Sequence, residues 1–365
     1  MKFSCSPKEL SDAAVTVSKA IPAKAVTPIL EGIYIRVYES TVSLTATDLD
    51  VFIEYRIHAK VILEGEAVVY GKLFSEILGK IADPLVTVEK TSGENLRLSY
   101  GENTTSVSCL GDGLFPEMSP PITEGDIEVS QATFKDIVER TAFCAATDDT
   151  RPLLRGCLLE TKDDKLVCVA LDGFRMASAR CALISQKKKI KAVVPAKALS
   201  EIAKALENKD LPVILKCTSK ALCIATQGLS MTIRLYEGEY LDYEAITPTT
   251  FTTELIINKK ILETCVERAL IISKTGNTSP IYLKVEGTLV EVTTETSMGQ
   301  VKEFLSANIS GEPLRIAFNN KFLQESLSKI KEDFVKFSFP SSDRPAVLTT
   351  IDDDKFKYLI LPMRY

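Results

Sequence analysis

Few residues that could perform catalysis or bind a metal lie close together in this sequence. The single histidine, His58, lies in the alternating segment EYRIHAK with no cysteine or second histidine nearby, which indicates a surface residue rather than a ligand. Acidic clusters occur at Asp148–Asp149, Asp163–Asp164 and Asp352–Asp354. Paired carboxylates can act as a general acid and a general base, but the last two clusters are typical of turns and solvated loops.

Other signals of cofactor or metal chemistry are absent from the sequence. There is no G-x-x-x-x-G-K-[ST], G-x-G-x-x-G, G-x-S-x-G or H-E-x-x-H motif. The nine cysteines are scattered and never spaced as C-x-x-C, which favours buried thiols in a reducing compartment over zinc ligands or disulfides. An enzyme would have to use Asp172 and Arg175 for acid–base chemistry, and these two residues indicate no substrate. We therefore predict a non-catalytic protein without a metal or cofactor.

The strongest pattern in the chain is an internal repeat. The segment AVVYGKLFSEI at Ala67–Ile77 returns 125 residues later as AVVPAKALSEI at Ala192–Ile202, with seven of eleven positions identical. A weaker third copy, IAFNNKFLQES at Ile316–Ser326, keeps the lysine and one glutamate. Each copy predicts an apolar strand, a break and then a helix. A period of this length is too long for a solenoid and matches three successive small domains.

The repeat sets the predicted fold class and domain organisation. Helices are predicted at residues 6–23, 70–83, 130–146, 195–208, 258–273 and 319–332, and alternating apolar segments between them predict strands. An acidic residue ends a strand-like segment in each repeat, at Asp48, Asp172 and Glu295. We predict an α+β protein with domains 1–125, 126–250 and 251–365, each built from two β-α-β-β-β half-units.

Charge restricts where a polyanion could bind. The chain carries 44 Lys and Arg against 49 Asp and Glu, so any basic site must be local. The predicted helices hold fourteen of those cations and twelve acids, which is also the composition of ordinary solvated helix faces. Lys72, Lys197 and Lys321 share one position of the repeat and are therefore expected on one side of the protein. No segment reaches the length of a membrane span or a signal peptide, so we expect a soluble, cytoplasmic protein.

Four further segments occur in a characteristic order: TDDTRPLLRG at 147–156, LDGFRMA at 171–177, EGEYLDY at 237–243 and LPMRY at 361–365. With the three repeats, they make the whole chain resemble the bacterial DNA polymerase III beta subunits, the replicative sliding clamps. The resemblance implies three tandem DNA-clamp domains and a head-to-tail homodimeric ring, with helices inside and sheets outside. Duplex DNA would pass through the hole, held by topology and by weak contacts with helix lysines.

The resemblance implies which residues face DNA. The matching positions, with Lys321 added from the internal repeat, are Lys24, Lys72, Lys80, Lys197, Lys204 and Lys321. Family members also carry polar or aromatic DNA contacts in the loop that corresponds to 148–153. Here Asp149, Pro152 and Leu153 stand at those positions.

The resemblance also implies a pocket in which polymerases and the clamp loader dock a short extended peptide. Its matching positions are Leu154, Leu171, Gly173, Phe174, Arg175, Met176, Leu241, Ile246, Asn319, Phe322, Arg344, Ala346, Leu359, Ile360, Leu361, Pro362, Met363 and Arg364. Leu171, Phe174, Leu241 and Ala245 replace a usual threonine, histidine, proline and arginine, so peptide preference is expected to differ in detail. From the residues alone, the apolar chain end could equally be a last core strand.

For the seam of the ring, an edge strand within Thr104–Leu110 is expected to pair with a strand of the third domain. Val107, Ile271 and Ile272 are the predicted apolar contacts, and packing in the core would explain the same residues.

The resulting prediction is a replicative processivity factor. It would encircle duplex DNA and tether the DNA polymerase III α subunit, the clamp loader complex, and other polymerases and DNA repair proteins. The repeat and the missing chemistry also fit a non-enzymatic three-repeat interaction scaffold that does not encircle DNA.

Overall fold

A computed structural model of the chain describes residues 1–91, 94–111, 114–117, 124–148, 150–273, 280–351 and 355–364. Asp149, the run Asp352–Asp354 and the terminal Tyr365 lie outside the described residues. Six α-helices are described: α1 (Pro7–Ser18), α2 (Gly71–Leu78), α3 (Gln131–Thr141), α4 (Ala196–Ala205), α5 (Lys259–Ser273) and α6 (Asn320–Ser328).

The described strands, in chain order, are β1 (Lys2–Cys5), β2 (Gly32–Tyr38), β3 (Thr41–Thr47), β4 (Val51–His58), β5 (Lys60–Leu63), β6 (Gly65–Tyr70), β7 (Val86–Lys90), β8 (Asn95–Tyr100), β9 (Asn103–Ser108), β10 (Ile127–Ser130), β11 (Gly156–Lys162), β12 (Lys165–Leu171), β13 (Arg175–Ala182), β14 (Ser185–Gln186), β15 (Lys191–Pro195), β16 (Pro212–Cys217), β17 (Ala221–Thr226), β18 (Leu229–Arg234), β19 (Thr253–Asn258), β20 (Pro280–Glu286), β21 (Leu289–Thr296), β22 (Gly299–Ser306), β23 (Asn308–Gly311), β24 (Leu314–Asn319), β25 (Phe334–Phe339), β26 (Ala346–Thr349) and β27 (Phe356–Ile360).

The helices begin within one residue of the sequence prediction. Ser6 caps α1 by accepting a hydrogen bond from the backbone N–H of Glu9, and Asn319 caps α6 by accepting one from Lys321. Such caps satisfy backbone donors that have no partner within the helix. Five of the six helices end three to five residues earlier than predicted, as with α6, which stops at Ser328 rather than residue 332.

The chain folds as two compact units. The first unit comprises Met1–Gln131, Ile184–Lys188 and Ala205–Leu235, and its two antiparallel sheets have the strand orders β14-β10-β16-β17-β18-β4-β3-β2-β6 and β5-β1-β7-β8-β9. Helices α1 and α2 pack against each other, and α1 also packs on β3 and β4. Leu10, Ala13, Ala14 and Val17 form the buried face of α1, at the spacing of one helix side.

The second unit comprises Ala132–Leu183, Lys189–Lys204 and Tyr236–Tyr365. Its two antiparallel sheets have the orders β15-β11-β12-β13-β27-β26-β25-β19-β23 and β22-β21-β20-β24. Helix α5 packs with α6 and lies on β21 and β22. Strands of the middle third of the sequence therefore belong to sheets of both units. The domain boundaries predicted at residues 125 and 250 stay predictions.

The histidine and the cysteines that were considered for chemistry have no sign of a ligand or catalytic role in the described residues. His58 is exposed at the end of β4, as predicted. All nine cysteines are free, and six of them are buried. Burial raises the pKa of the Cys5 and Cys181 thiols to about 12, which keeps them protonated and unreactive at neutral pH. No helix among the described residues is long and apolar enough to cross a membrane.

Candidate peptide-docking and nucleic-acid surfaces

The predicted peptide pocket is built around the turn that joins β12 to β13. The Asp172 Oδ1 atom accepts hydrogen bonds from the backbone N–H groups of Phe174 (2.9 Å) and Arg175 (3.0 Å). Gly173, between them, has a φ of 92°, a conformation that favours glycine. This turn leaves the Phe174 side chain 58% exposed. The turn joins two antiparallel strands, so Asp172 and Gly173 lie in a β-hairpin.

Arg175 holds that turn against helix α6. Its Nε lies 3.0 Å from Asp172 Oδ2, and its Nη1 lies 2.5 Å from Glu325 Oε2. The guanidinium also lies 4.5 Å from the centre of the Phe322 ring. The side chain is only 8% exposed, and a paired, buried guanidinium is costly to replace. Asp172 and Arg175 are thus occupied by each other in a structural role, which leaves no free acid–base pair.

Several residues predicted for the pocket are buried in one hydrophobic cluster of the second unit. Leu154, Leu171, Met176 and Leu359 are each less than 5% exposed and lie in this cluster. The strand register places Leu171 opposite Met176 and Met176 opposite Leu359. Ala346 and Ile360, which pair across β26 and β27, are fully buried, so they offer no surface to a ligand.

Four other residues predicted for the pocket have large, exposed apolar side chains. Phe174, Leu241, Ile246 and Leu361 are 40 to 58% exposed. The ring centres of Phe174 and Phe322 lie 6.3 Å apart. Exposed apolar side chains of this kind suit the anchor residues of an extended peptide.

Backbone hydrogen bonds fix the C-terminal segment beside Phe174 and strand β24. The Leu361 N–H donates to the Phe174 carbonyl at 2.9 Å, and the Met363 N–H donates to the Ala317 carbonyl at 2.8 Å. Pro362 between them is partly buried, and Arg364 is exposed. The chain end beyond β27 is therefore tied by its backbone to the turn before β13 and to β24.

Three polar residues predicted for the pocket, Asn319, Arg344 and Arg364, lie outside the hydrophobic cluster. Asn319 caps α6, and Arg344 is exposed in the turn before β26. A hydrogen bond from Ser341, helped by the nearby guanidinium groups of Arg344 and Arg364, lowers the pKa of Asp343. Both arginines are thus close to the Asp343 carboxylate.

The six predicted DNA-facing lysines are all exposed. Lys72, Lys197 and Lys321 lie in the first turns of α2, α4 and α6, Lys204 lies at the end of α4, and Lys24 and Lys80 follow α1 and α2. In the second unit, Lys204 Nζ lies 2.8 Å from Glu201 Oε1, and Lys321 Nζ lies 3.8 Å from Glu325 Oε1. The other four form no ion pair with any residue that the structure describes. Weakly held, exposed lysines can reach phosphates.

The residues predicted for the seam differ in exposure: Val107 is buried, whereas Ile271 is exposed. Strand β9 is the edge of its sheet, as expected, but Val107 is only 2% exposed because it faces the interior of the first unit. Val107 therefore cannot offer an apolar contact, and β9 presents its backbone with the exposed Thr104 and Ser106. In the second unit, Ile271 is 66% exposed and Ile272 is partly buried.

Two exposed apolar residues on or beside β22, which packs against α5, were missed from the sequence. Met298 is 70% exposed beside β22, and Phe304 is 58% exposed on it. Strand β22 is the free edge of its sheet, and Arg268 of α5 bonds Glu303 of β22 at 2.5 Å. Phe304 lies on the same face of β22 as the polar Gln300 and Lys302. An apolar residue on an otherwise polar face of a strand is a sequence signal that could have identified Phe304 as an exposed contact residue.

Comparisons with known proteins match the whole chain. Family models for the N-terminal, central and C-terminal domains of the DNA polymerase III beta subunit match residues 1–119, 128–242 and 244–364. The chain belongs to the family of bacterial DNA polymerase III beta subunits. The beta sliding clamp of Staphylococcus epidermidis is 30% identical over 357 residues, which cover 95% of this chain and 94% of that one. The Bacillus subtilis beta sliding clamp is 28% identical, with both chains fully covered.

Solved structures of this family have the same fold. The DNA polymerase sliding clamp from Bacillus subtilis superposes with a TM-score of 0.94 at 26% identity, covering 100% of this chain and 99% of that chain. The beta subunit from Streptococcus pyogenes gives a TM-score of 0.94 at 27% identity, with full coverage of both chains. The predicted α+β clamp fold is confirmed, and membership in this non-catalytic family confirms that the chain is not an enzyme.

Proposed function

We propose that this chain is a replicative processivity clamp that encircles duplex DNA as a homodimeric ring in the cytoplasm. The match of all three beta-subunit domain models across the chain is the observation that carries this proposal. The exposed lysines of α2, α4 and α6 would face DNA. A clamp must slide, and scattered lysines that contact phosphates without reading sequence allow sliding.

The pocket on the second unit would be the tether for partner proteins. Its exposed Phe174, Leu241, Ile246 and Leu361 suit a short apolar peptide. The partners are the DNA polymerase III α subunit, the clamp loader complex, and other polymerases and repair proteins with such peptides. Each copy of the chain contributes one pocket, so a homodimer would hold two partners.

Two free sheet edges support the homodimer. Strand β9 ends one sheet of the first unit, and β22 ends one sheet of the second unit, beside the exposed Ile271, Met298 and Phe304. A head-to-tail dimer would pair β9 of one copy with β22 of the other at both seams, leaving neither edge open.

Retention on DNA before and after cutting tests the encirclement. The protein is loaded with a clamp loader onto nicked circular plasmid at moderate salt, and the plasmid is then linearised. Encirclement predicts that the protein stays on the circle and leaves from the ends of the cut DNA. Equal retention on both forms would mean attachment by contact, and the interaction scaffold would replace the clamp.

A further inference from the structure

Glu325 is not among the residues predicted for the pocket, yet it contacts Arg175, which is. It lies on α6 three residues after Phe322, and residues at that spacing are neighbours on one side of a helix. Its Oε2 atom accepts a hydrogen bond from Arg175 Nη1 at 2.5 Å. The same guanidinium lies 4.5 Å from the centre of the Phe322 ring. Arg175 therefore meets a carboxylate and an aromatic ring on one side of α6.

The other two nitrogens of the Arg175 guanidinium bind groups from the middle third of the chain. Nε lies 3.0 Å from Asp172 Oδ2, and Nη2 donates to the Phe143 carbonyl at 3.3 Å. All three nitrogens thus have an acceptor, and Glu325 is the one of these acceptors that α6 supplies. The Arg175 side chain is 8% exposed, so water cannot readily replace an acceptor that is lost.

The Asp172 carboxylate connects this contact to Phe174. Its Oδ2 atom meets Arg175, while its Oδ1 atom accepts the backbone N–H groups of Phe174 and Arg175 in the turn. The turn leaves the Phe174 ring exposed, 6.3 Å from Phe322 between ring centres and with 30° between the ring planes. The relative position of the two rings therefore depends on the contacts from Glu325 through Arg175 and Asp172.

A second arginine of the same unit has a similar set of contacts in different surroundings. Arg140 is also 8% exposed, and it pairs with Asp136 of its own helix at 2.8 Å and with Glu332 at 3.1 Å. Its guanidinium lies 4.7 Å from the centre of the Phe356 ring, which is 2% exposed. The Arg140 contacts therefore position a core ring, whereas the Arg175 contacts position rings that a ligand can reach.

We propose that Glu325 is a positioning residue for peptide docking, which acts through Arg175 to hold Phe174 beside Phe322. The inference rests on the proposed peptide-docking function of the pocket. Glu325 itself need not touch the peptide, because it fixes the two rings before the peptide arrives, so that binding does not have to order them. Ordering side chains on binding lowers affinity, and two rings that are not held in place are expected to weaken binding about fivefold.

A matched pair of substitutions tests the proposal. Glu325→Gln and Glu332→Gln each remove one negative charge that is bonded to a buried arginine, with little change in side-chain size. Binding is measured by fluorescence anisotropy with a fluorescein-labelled synthetic peptide in which a Leu-Phe anchor lies between Gly-Ser blocks. Glu325→Gln is expected to weaken binding about fivefold, and Glu332→Gln is expected to stay within about twofold of wild type. Both are expected to lower the melting temperature, so lost stability alone cannot produce the difference.

A double-mutant cycle separates positioning from direct contact. Phe174→Ala removes the ring that Glu325 is proposed to position. In that background, Glu325→Gln is expected to weaken binding by less than about twofold, because its effect on affinity passes through the missing ring. Its effect on the melting temperature is expected to persist, since the contact with Arg175 is still lost.

A shorter carboxylate separates position from charge. Glu325→Asp keeps the negative charge but has one methylene group less, which takes the carboxylate away from Arg175. It is expected to weaken binding at least about twofold, because the charge alone does not hold the guanidinium in place.

Three results would overturn the inference. Binding by Glu325→Gln within about twofold of wild type would show that the Arg175 contact serves stability only, and the proposed pocket would stand. An additive loss in the Phe174→Ala background would make Glu325 a direct peptide contact. An equal loss with Glu332→Gln would trace the weaker binding to lost stability. Absence of binding by the wild-type protein would overturn the proposed pocket itself, together with this inference.

Discussion

At the scale of single residues, the backbone and the side chains of the chain end have separate roles. Leu361 and Met363 are positioned by backbone hydrogen bonds to Phe174 and Ala317, and these bonds survive truncation of the side chains. The combined Leu361→Ala and Met363→Ala substitution should therefore keep the chain end in place and remove its apolar contacts. We expect peptide affinity to fall at least about tenfold, as for a loss of buried anchor surface. Fluorescence anisotropy with a peptide from the polymerase α subunit measures this.

A control substitution at exposed apolar residues elsewhere tests whether the loss of affinity is specific to the chain end. Ile62→Ala with Leu63→Ala removes side chains that are 55% and 61% exposed on β5, outside the pocket, and should leave peptide affinity unchanged. The pocket variant should still dimerise, as judged by light scattering. Dissociation into monomers would show that the chain end supports the fold or the seam rather than the peptide.

Residue patterns predicted the family and two segments that the structure brings together, but not the contacts that position them. The order of LDGFRMA and LPMRY pointed to the family, and the Leu361 N–H donates to the Phe174 carbonyl. The Asp172 turn and the Arg175 contact with Glu325, 150 residues away in the chain, depend on tertiary packing that no local pattern encodes. Val107 was misjudged because a valine in an edge strand can face either side, and only the register decides which.

At the scale of elements, the packing of α5 on β22 includes a charge pair whose contribution depends on pH. Arg268 donates hydrogen bonds to both carboxylate oxygens of Glu303, at 2.6 Å and 2.5 Å. The hydrogen bond from Arg268, opposed in part by burial, lowers the pKa of Glu303 below its ordinary 4.5. A lowered pKa in the folded state means that the pair stabilises the fold above about pH 4.5, and that this contribution is lost as the pH falls further.

Glu303→Gln should therefore lower the melting temperature at pH 7 by about 2 °C, and the difference from wild type should shrink to nothing in acid. Differential scanning calorimetry across pH 3 to 7 measures it. Glu286→Gln is the control, because Glu286 pairs with Lys284 on the same strand and holds no helix in place. An equal effect from the two substitutions, or a difference that persists at pH 3, would show that the pair does not link α5 to β22.

Elements were more predictable than their assembly. Helix starts came out within one residue because Ser6, Asn258 and Asn319 cap their helices through local hydrogen bonds. The strands of the first repeat were readable from their alternation. The pairing of β13 with β27, and of β18 with β4, joins distant parts of the chain, and residue patterns alone do not fix such partners.

At the scale of the whole molecule, the proposed dimer requires the exposed patch beside β22. Ile271 is 66% exposed, and a charge placed there would be buried at a seam. Ile271→Glu should weaken the dimer at least about tenfold and yield monomers in light scattering. Ile261→Glu, on the same helix at 54% exposure, is the matched control and should remain dimeric. A dimeric Ile271→Glu protein would remove this patch from the seam.

The helix lysines test whether retention on DNA depends on topology or on contact. Lys72→Ala, Lys197→Ala and Lys321→Ala together remove three cations per chain that stand at one position of the repeat. Binding of the unloaded protein to short linear duplex should weaken, and the salt dependence of that binding should become shallower, because fewer counterions are released. The fraction retained on closed circular DNA after loading should stay within about twofold of wild type, because a closed ring needs no affinity to remain in place.

Exposed strand and turn lysines provide the control, with Lys60→Ala, Lys216→Ala and Lys220→Ala expected to change neither measurement. If the helix variant instead leaves circular DNA as quickly as linear DNA, the lysines themselves hold the protein, and encirclement is not what retains it.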